Sequence, residues 1–274
     1  MQLRTAPTLL AAALLACAGH AAAQESRDDR FTLRIGAMNA KAETELSAAT
    51  TFMGERYRFS EDFDFGSSER VPRIDGVFRM SERQRLVFDY FNYDKKRRET
   101  LDEGISYDDT TIPAGSYAEA ELDFQIASLL YDYSVVQTDS FSLGLQIGAE
   151  WAKAKASLVA EAGEDRWSDD TSEDGYAPVV GLRLTARPGD RWLLNLQGQY
   201  LDADWGNFGD YDGSITRANA VAEYRFTDNF GLFAGYEWYR LDVKRNVTGD
   251  GIRDGIVGWE QRFKGPVVGV TLAF

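Results

Sequence analysis

The stretch Leu143-Gly144-Leu145-Gln146-Ile147-Gly148-Ala149-Glu150-Trp151 alternates apolar residues with small or polar ones at every step. A period of two belongs to an extended strand whose two faces meet unlike surroundings. The same beat recurs in both directions along the chain. Phe31, Leu33, Ile35 and Ala37 share one parity against Thr32, Arg34 and Gly36. Leu86, Phe88 and Tyr90 stand against Val87 and Asp89, and Trp192, Leu194, Leu196 and Tyr200 against Asn195, Gln197 and Gln199. Leu232, Ala234, Tyr236 and Trp238 oppose Gly231, Phe233, Gly235 and Glu237. Helical spacing is scarce, so the chain reads as all-β.

The connections fall into two kinds. Four are tight and rich in turn residues: 81–84, 137–140, 187–190 and 227–229. Between them lie longer Gly, Asp, Ser and Thr-rich stretches near 40–70, 94–116, 158–175, 204–213 and 245–257. Short turns at one end and long connections at the other describe an up-and-down meander of about ten strands. Eight or twelve remain open, because 40–70 has room for another hairpin.

The polar parity carries the charge. Arg34, Arg73, Asp75, Arg79, Asp89, Glu121, Asp123, Glu150, Arg183, Arg217, Glu223, Arg225 and Glu237 all fall opposite the apolar stripe of their strand. In a soluble sandwich or lipid-binding barrel such charges face water and the apolar stripe faces inward. In a membrane barrel the arrangement is inverted, with a lipid-facing apolar band around a polar lumen. Parity alone leaves both architectures open. Strand length and aromatic placement favour the second. The periodic runs meet or exceed the roughly 9 to 11 residues that a tilted strand needs to cross hydrocarbon. Aromatics gather near the short turns (Tyr131, Tyr133, Phe141, Trp192, Tyr224, Phe226 and Phe230) and again one span away (Tyr90, Trp151, Tyr200 and Trp238). Two such levels match interfacial girdles. A mean hydropathy of −0.37 is compatible with this, since only half of each strand meets lipid.

The two ends of the sequence carry motifs. Residues 1–23 run from Arg4 through the apolar Leu9 to Leu15 into small residues ending at Ala23, the pattern of a secretory signal peptide cut before Gln24. Leu14-Leu15-Ala16-Cys17 also approaches a lipidation box, with Cys17 as the modified residue. Loss of 1–23 removes one cation, Arg4, and no anion, so the formal balance moves from −14 to −15. It also removes Cys17 and His20, the sole cysteine and histidine. The segment 24–274, expected as one domain, therefore supports no Ser-His-Asp triad, no Cys-His pair and no imidazole-ligated zinc. The acidic balance also disfavours nucleic acid as a partner.

The chain closes on Val267-Val268-Gly269-Val270-Thr271-Leu272-Ala273-Phe274. Gly269, Leu272 and Phe274 resemble the terminal β-signal of Gram-negative outer-membrane barrels, and Val267 departs from it where a polar residue is usual. With the signal segment and the strand pattern, the chain resembles the small OmpA-like or porin-like barrels. That resemblance implies a transmembrane antiparallel barrel in the cell outer membrane, contact with lipid and lipopolysaccharide, and assembly machinery that reads the last strand. It also implies both ends in the periplasm, long loops outside and a monomer. Members of this group serve as anchors, adhesins, narrow pores and, in some branches, enzymes. The enzyme branches generally rely on histidine, which 24–274 lacks, so a non-enzymatic envelope or surface role is expected and no cofactor is.

Three constellations bear on chemistry. The lumenal charges come in both signs and read either as a salt-bridged plug or as a narrow path that filters solutes. About ten strands leave little spare bore, which favours the plug. Glu119, Glu121 and Asp123 share one strand face, where basic partners from Arg73, Arg79 or Arg85 are simpler than acid–base catalysis. Beyond them the apolar parity changes to Leu129, Tyr131 and Tyr133, which predicts a bulge near Ala127-Ser128. The basic run Asp94-Lys95-Lys96-Arg97-Arg98 suits either lipopolysaccharide phosphates or a solvated strand end. The acidic run 161–174 reads as a solvated loop rather than a calcium site.

Overall fold

The computed structural model describes residues 29–52, 55–64, 68–100, 105–107, 110–112, 117–162, 165–207, 211–249 and 252–274. The signal segment and Cys17 lie outside these. Ten antiparallel staves form one closed sheet. They are β1 (Phe31–Phe52), β3 (Glu69–Arg79), β4 (Gln84–Thr100), β7 (Tyr117–Gln137), β8 (Phe141–Ala162), β9 (Asp165–Gly189), β10 (Trp192–Asp202), β11 (Tyr211–Arg225), β12 (Phe230–Gly249) and β13 (Ile252–Ala273). Each pairs with its neighbours in chain order, and β13 pairs back onto β1 from Thr32↔Ala273 upward, which closes the barrel and leaves no free edge.

The four short turns sit together at one end, as their composition requires. At the other end the expected loops prove to be largely strand. β1 continues to Phe52 and folds back as β2 (Glu55–Asp64), so 40–70 lengthens the first two staves instead of adding a further pair. β8 and β9 run on to Ala162 and Asp165, through the acidic stretch read as a loop. A small hairpin, β5 (Ile105–Tyr107) with β6 (Thr110–Ile112), lies in the chain between β4 and β7.

β8 and β13 are 22 residues long, about twice what a crossing needs. The two halves of the long strands obey opposite rules. Toward the turns, the outward side chains are apolar: Phe31, Leu33, Ile35 and Ala37 on β1, Phe141 to Trp151 at every second position on β8, and Leu232 to Trp238 on β12. Ile147 and Val268 are each 59% exposed and Leu182 is 56%. Ten steps from Phe141 to Trp151, at roughly 3.3 Å each and tilted by about 40°, span roughly 25 Å along the axis, the height of a lipid-facing band. Beyond that ring the outward stripe turns charged on strand after strand: Lys41 and Glu43 on β1, Lys96 on β4, Lys153 and Lys155 on β8, Arg240 and Asp242 on β12, and Lys264 and Arg262 on β13.

The inward stripe changes in the opposite sense. Beside the apolar belt it holds arginines and carboxylates; beside the charged collar it is a dry apolar core. Met38, Phe91, Ile126 and Phe263 are fully buried there, with Phe124, Tyr239 and Leu201 nearly so. One pleat thus serves two solvents: lipid outside a polar bore in the turn half, and water outside an oily core in the projecting half.

This corrects the reading of β7. Its pairing with β8 is unbroken from Tyr117↔Glu161 to Ser134↔Gly144, and a shift occurs only between Ser134 and Val136. There is no bulge at Ala127-Ser128. Even positions face inward throughout, as Leu122, Phe124, Ile126, Ser128, Leu130 and Asp132, and the chemistry of the surroundings changes around them.

Candidate functional site

Inside the belt the charges assemble into three networks. Arg73 donates through Nε to both Glu237 oxygens at 2.9 Å and through Nη2 to Asp89 at 2.7 Å, while Arg217 reaches the same Asp89. Arg73 Nη1 also donates to the Ile74 and Tyr90 carbonyls at 3.2 and 3.1 Å. Nearer the turns, Arg34 bridges Asp75 at 3.1 Å and Glu223 at 3.0 Å, and Arg225 donates to Glu223 at 2.7 Å and contacts Asp29. On the facing wall Arg183 holds Asp132 through two bonds of 2.8 Å and donates to Thr185 at 2.7 Å. Gln146 donates to the same Asp132 at 2.9 Å. Bidentate pairing with further polar contacts is what makes charges tolerable out of bulk water.

Eleven of the thirteen residues expected in the lumen line its inner wall: Arg34, Arg73, Asp75, Arg79, Asp89, Glu150, Arg183, Arg217, Glu223, Arg225 and Glu237. Glu150 is only 2% exposed and has no ion-pair partner among the described residues. The other two, Glu121 and Asp123, face outward on β7 above the belt, because the pleat does not flip where their strand's hydrophobicity does. Their basic partners are not Arg73, Arg79 or Arg85. Glu121 lies opposite Lys96 at 2.8 Å and Glu119 opposite Arg98 at 3.1 Å, so the acidic and basic runs zip against each other on the outer face. The hydrogen bond from Lys96 holds the Glu121 carboxyl below its ordinary range, and Lys264 does the same to Glu43.

Asp132 was not among the expected lumenal residues, although it is fully buried in a network. Its signal was its place on the even parity of β7, hidden by the apparent change of stripe. Arg85 and Arg187 also line the bore near the turns.

Above the networks buried aromatic rings occupy the bore. Phe91 lies 4.8 Å from Tyr239 and 5.8 Å from Phe263, centroid to centroid, and Phe263 lies 5.1 Å from Phe124 and 4.7 Å from Tyr93. β4 and β7 supply three of these rings and β12 and β13 the other two, so they meet across the lumen. Each fully buried aromatic contributes about 1.5–3 kcal/mol, and the five rings pack against one another inside the bore. Below the plug a cavity of about 130 Å³ lies within the charged networks. Among the described residues no cluster of three or more His, Cys, Asp or Glu side chains could hold a metal ion.

These features define a ten-stranded antiparallel closed barrel structurally related, at low identity, to Gram-negative outer-membrane barrels. The structure resembles the outer-membrane protease OmpT of Escherichia coli, with a TM-score of 0.57 and 12% identity over 91% of this chain and 98% of that one. OprG of Pseudomonas aeruginosa aligns over 89% of this chain and 95% of its own at 12% identity, with a TM-score of 0.37. No protein-family description matches the sequence, and no curated protein does.

Proposed function

We propose that the protein is a monomeric, closed outer-membrane barrel with a non-enzymatic envelope role, and that the part standing above the membrane is its working surface. The observation that carries this reading is the aromatic plug joined to a charged outer collar: buried rings occupy the bore, and the charged exterior is the surface left to engage a partner. The turn end faces the periplasm. The collar, with Lys264 bonded to Glu43 at 2.8 Å and Arg240 to Glu260 at 2.7 Å, meets the lipopolysaccharide headgroups. β13, which carries Gly269, Leu272 and Phe274, forms the closing seam with β1 and is the strand offered to the barrel-assembly machinery.

The narrow-channel alternative is opposed by the same plug. A carboxylate-dependent enzyme built on Glu121 is opposed by that residue's place on the open outer face, hydrogen-bonded to Lys96. Planar-bilayer recording of the purified protein tests the closed reading. A silent membrane is expected, and steady ion-selective steps would contradict it.

A further inference from the structure

β10 is only 11 residues long and stops at Asp202, where a single 3-10 turn, Ala203–Trp205, leads toward β11. The turn is pinned at both ends. Asp202 caps it, accepting from the Asp204 backbone N–H at 3.1 Å and from the Tyr200 hydroxyl at 2.9 Å. Beyond it, Asn207 donates its N–H to the Tyr176 carbonyl of β9 at 2.9 Å, and a Cβ on Gly206 would collide with that same carbonyl. Trp205 is thereby held edge to face with Tyr200, ring centroids 5.7 Å apart at 76°. Both rings stay open to the outside, Trp205 at 49% exposure, and Tyr176, on the strand the loop leans against, is 60% exposed.

The charge around these rings is one-sided. On the rest of the collar Glu43 pairs with Lys264, Glu121 with Lys96, Glu119 with Arg98 and Asp242 with Lys244. Asp202, Asp204 and Asp212 have no ion-pair partner among the described residues: Lys244 stands opposite Asp212 in the register but bonds Asp242, at 3.3 Å. Partial loss of solvent and the neighbouring Asp202 and Asp212 raise the Asp204 carboxyl above its ordinary range. Among the described residues no group of carboxylates is arranged to hold a metal ion, and like charge repels the phosphate of a lipid headgroup. Exposed rings beside unpaired carboxylates instead match a guanidinium, which is planar, stacks on aromatic faces and pairs bidentately with carboxylates. Carboxylates spread over the end of β10, the turn and the start of β11 call for several such groups on one chain.

We propose that this corner of the collar is a docking site for a basic polypeptide whose arginine side chains lie against Trp205 and Tyr200 and pair with Asp204 and Asp212. Tryptophan, tyrosine and arginine are the side chains that dominate contacts between proteins. The inference deepens the reading of the projecting half as the working surface and rests on it for the side of the membrane. Binding itself is read in detergent, so it stands or fails separately from the bilayer recording.

Fluorescence anisotropy of a dye-labelled tri-arginine peptide, titrated with the full barrel in a non-ionic detergent at low salt, tests the proposal. Saturable binding is expected. Tri-lysine, of the same charge, is expected to bind several-fold more weakly, because a guanidinium stacks and forks where an ammonium does not. Trp205→Ala is expected to weaken tri-arginine binding by about two- to fivefold, and Asp204→Asn combined with Asp212→Asn to weaken it several-fold. Glu119→Gln combined with Glu121→Gln, on β7, is expected to leave it unchanged. Heat-dependent gel mobility reports whether each variant still closes, and the aspartate pair decides the matter if Trp205→Ala does not. Absence of saturable binding, equal affinity for the two peptides, unchanged affinity in a closed Trp205→Ala barrel, or a loss as large in the β7 pair as at Asp204 and Asp212 would overturn the proposal.

Discussion

Arg73 holds two carboxylates at once, Glu237 through Nε and Asp89 through Nη2, with all three side chains nearly sealed from solvent. Removing the shared cation strands Glu237 and leaves Asp89 to Arg217 alone. Arg73→Met is therefore expected to cost about 3–5 kcal/mol, read as a shift in the urea midpoint of the barrel in lipid vesicles. Glu150→Gln, at a buried carboxyl with no cation to lose, is expected to change that midpoint by about 1 kcal/mol or less; an equal loss in both variants would refute the assignment of partners. At the same scale, Gly36 and Gly269 face each other across the β1–β13 seam with the Phe233 ring laid over both. A Cβ on Gly36 would come within 2.8 Å of that ring, and one on Gly269 within 2.7 Å. Gly269 was legible in the sequence as part of a terminal motif. Its steric reason was not, because Phe233 lies 36 residues away in the chain.

β8 shows how one element crosses from one solvent to another without changing its pleat. Ile147 sits in mid-belt, and Ser157 lies ten residues along the same outward stripe, opposite Glu121. Ile147→Arg is expected to destabilise by about 2–4 kcal/mol, the cost of a guanidinium at mid-bilayer, while Ser157→Arg stays within about 0.5 kcal/mol. Equilibrium unfolding in vesicles separates the two, and comparable costs would refute the boundary. The strands themselves were plain in the sequence, since period two survives in every one, and so were the four turns. β7 was misread in its middle because apolar residues move from the outer stripe, at Leu129 and Tyr131, to the inner one, at Phe124 and Ile126. Alternation reports that two faces differ; it does not say which face is wet. The long connections were misread for a related reason: polar residues that face water on the outside of a projecting strand look like loop composition.

Over the whole molecule, the two halves support each other. The projecting half buries its aromatics as a soluble protein does, and that core closes the bore that the membrane half leaves polar. The sequence carried the barrel, its inverted belt and most of the lumenal charges, because each is local to a strand. It did not carry the plug, whose rings come from β4, β7, β12 and β13 and meet only after closure. The change of solvent partway along the long strands is best measured by nitroxide accessibility. Residues 24–274 contain no cysteine, so single labels are clean. Labels at 147, 182 and 232 are expected to collide with oxygen dissolved in lipid, and those at 153, 244 and 264 with an aqueous nickel complex. Nickel access at all six would make this a soluble barrel, and oxygen access at all six would bury the collar in the membrane; either result contradicts the account.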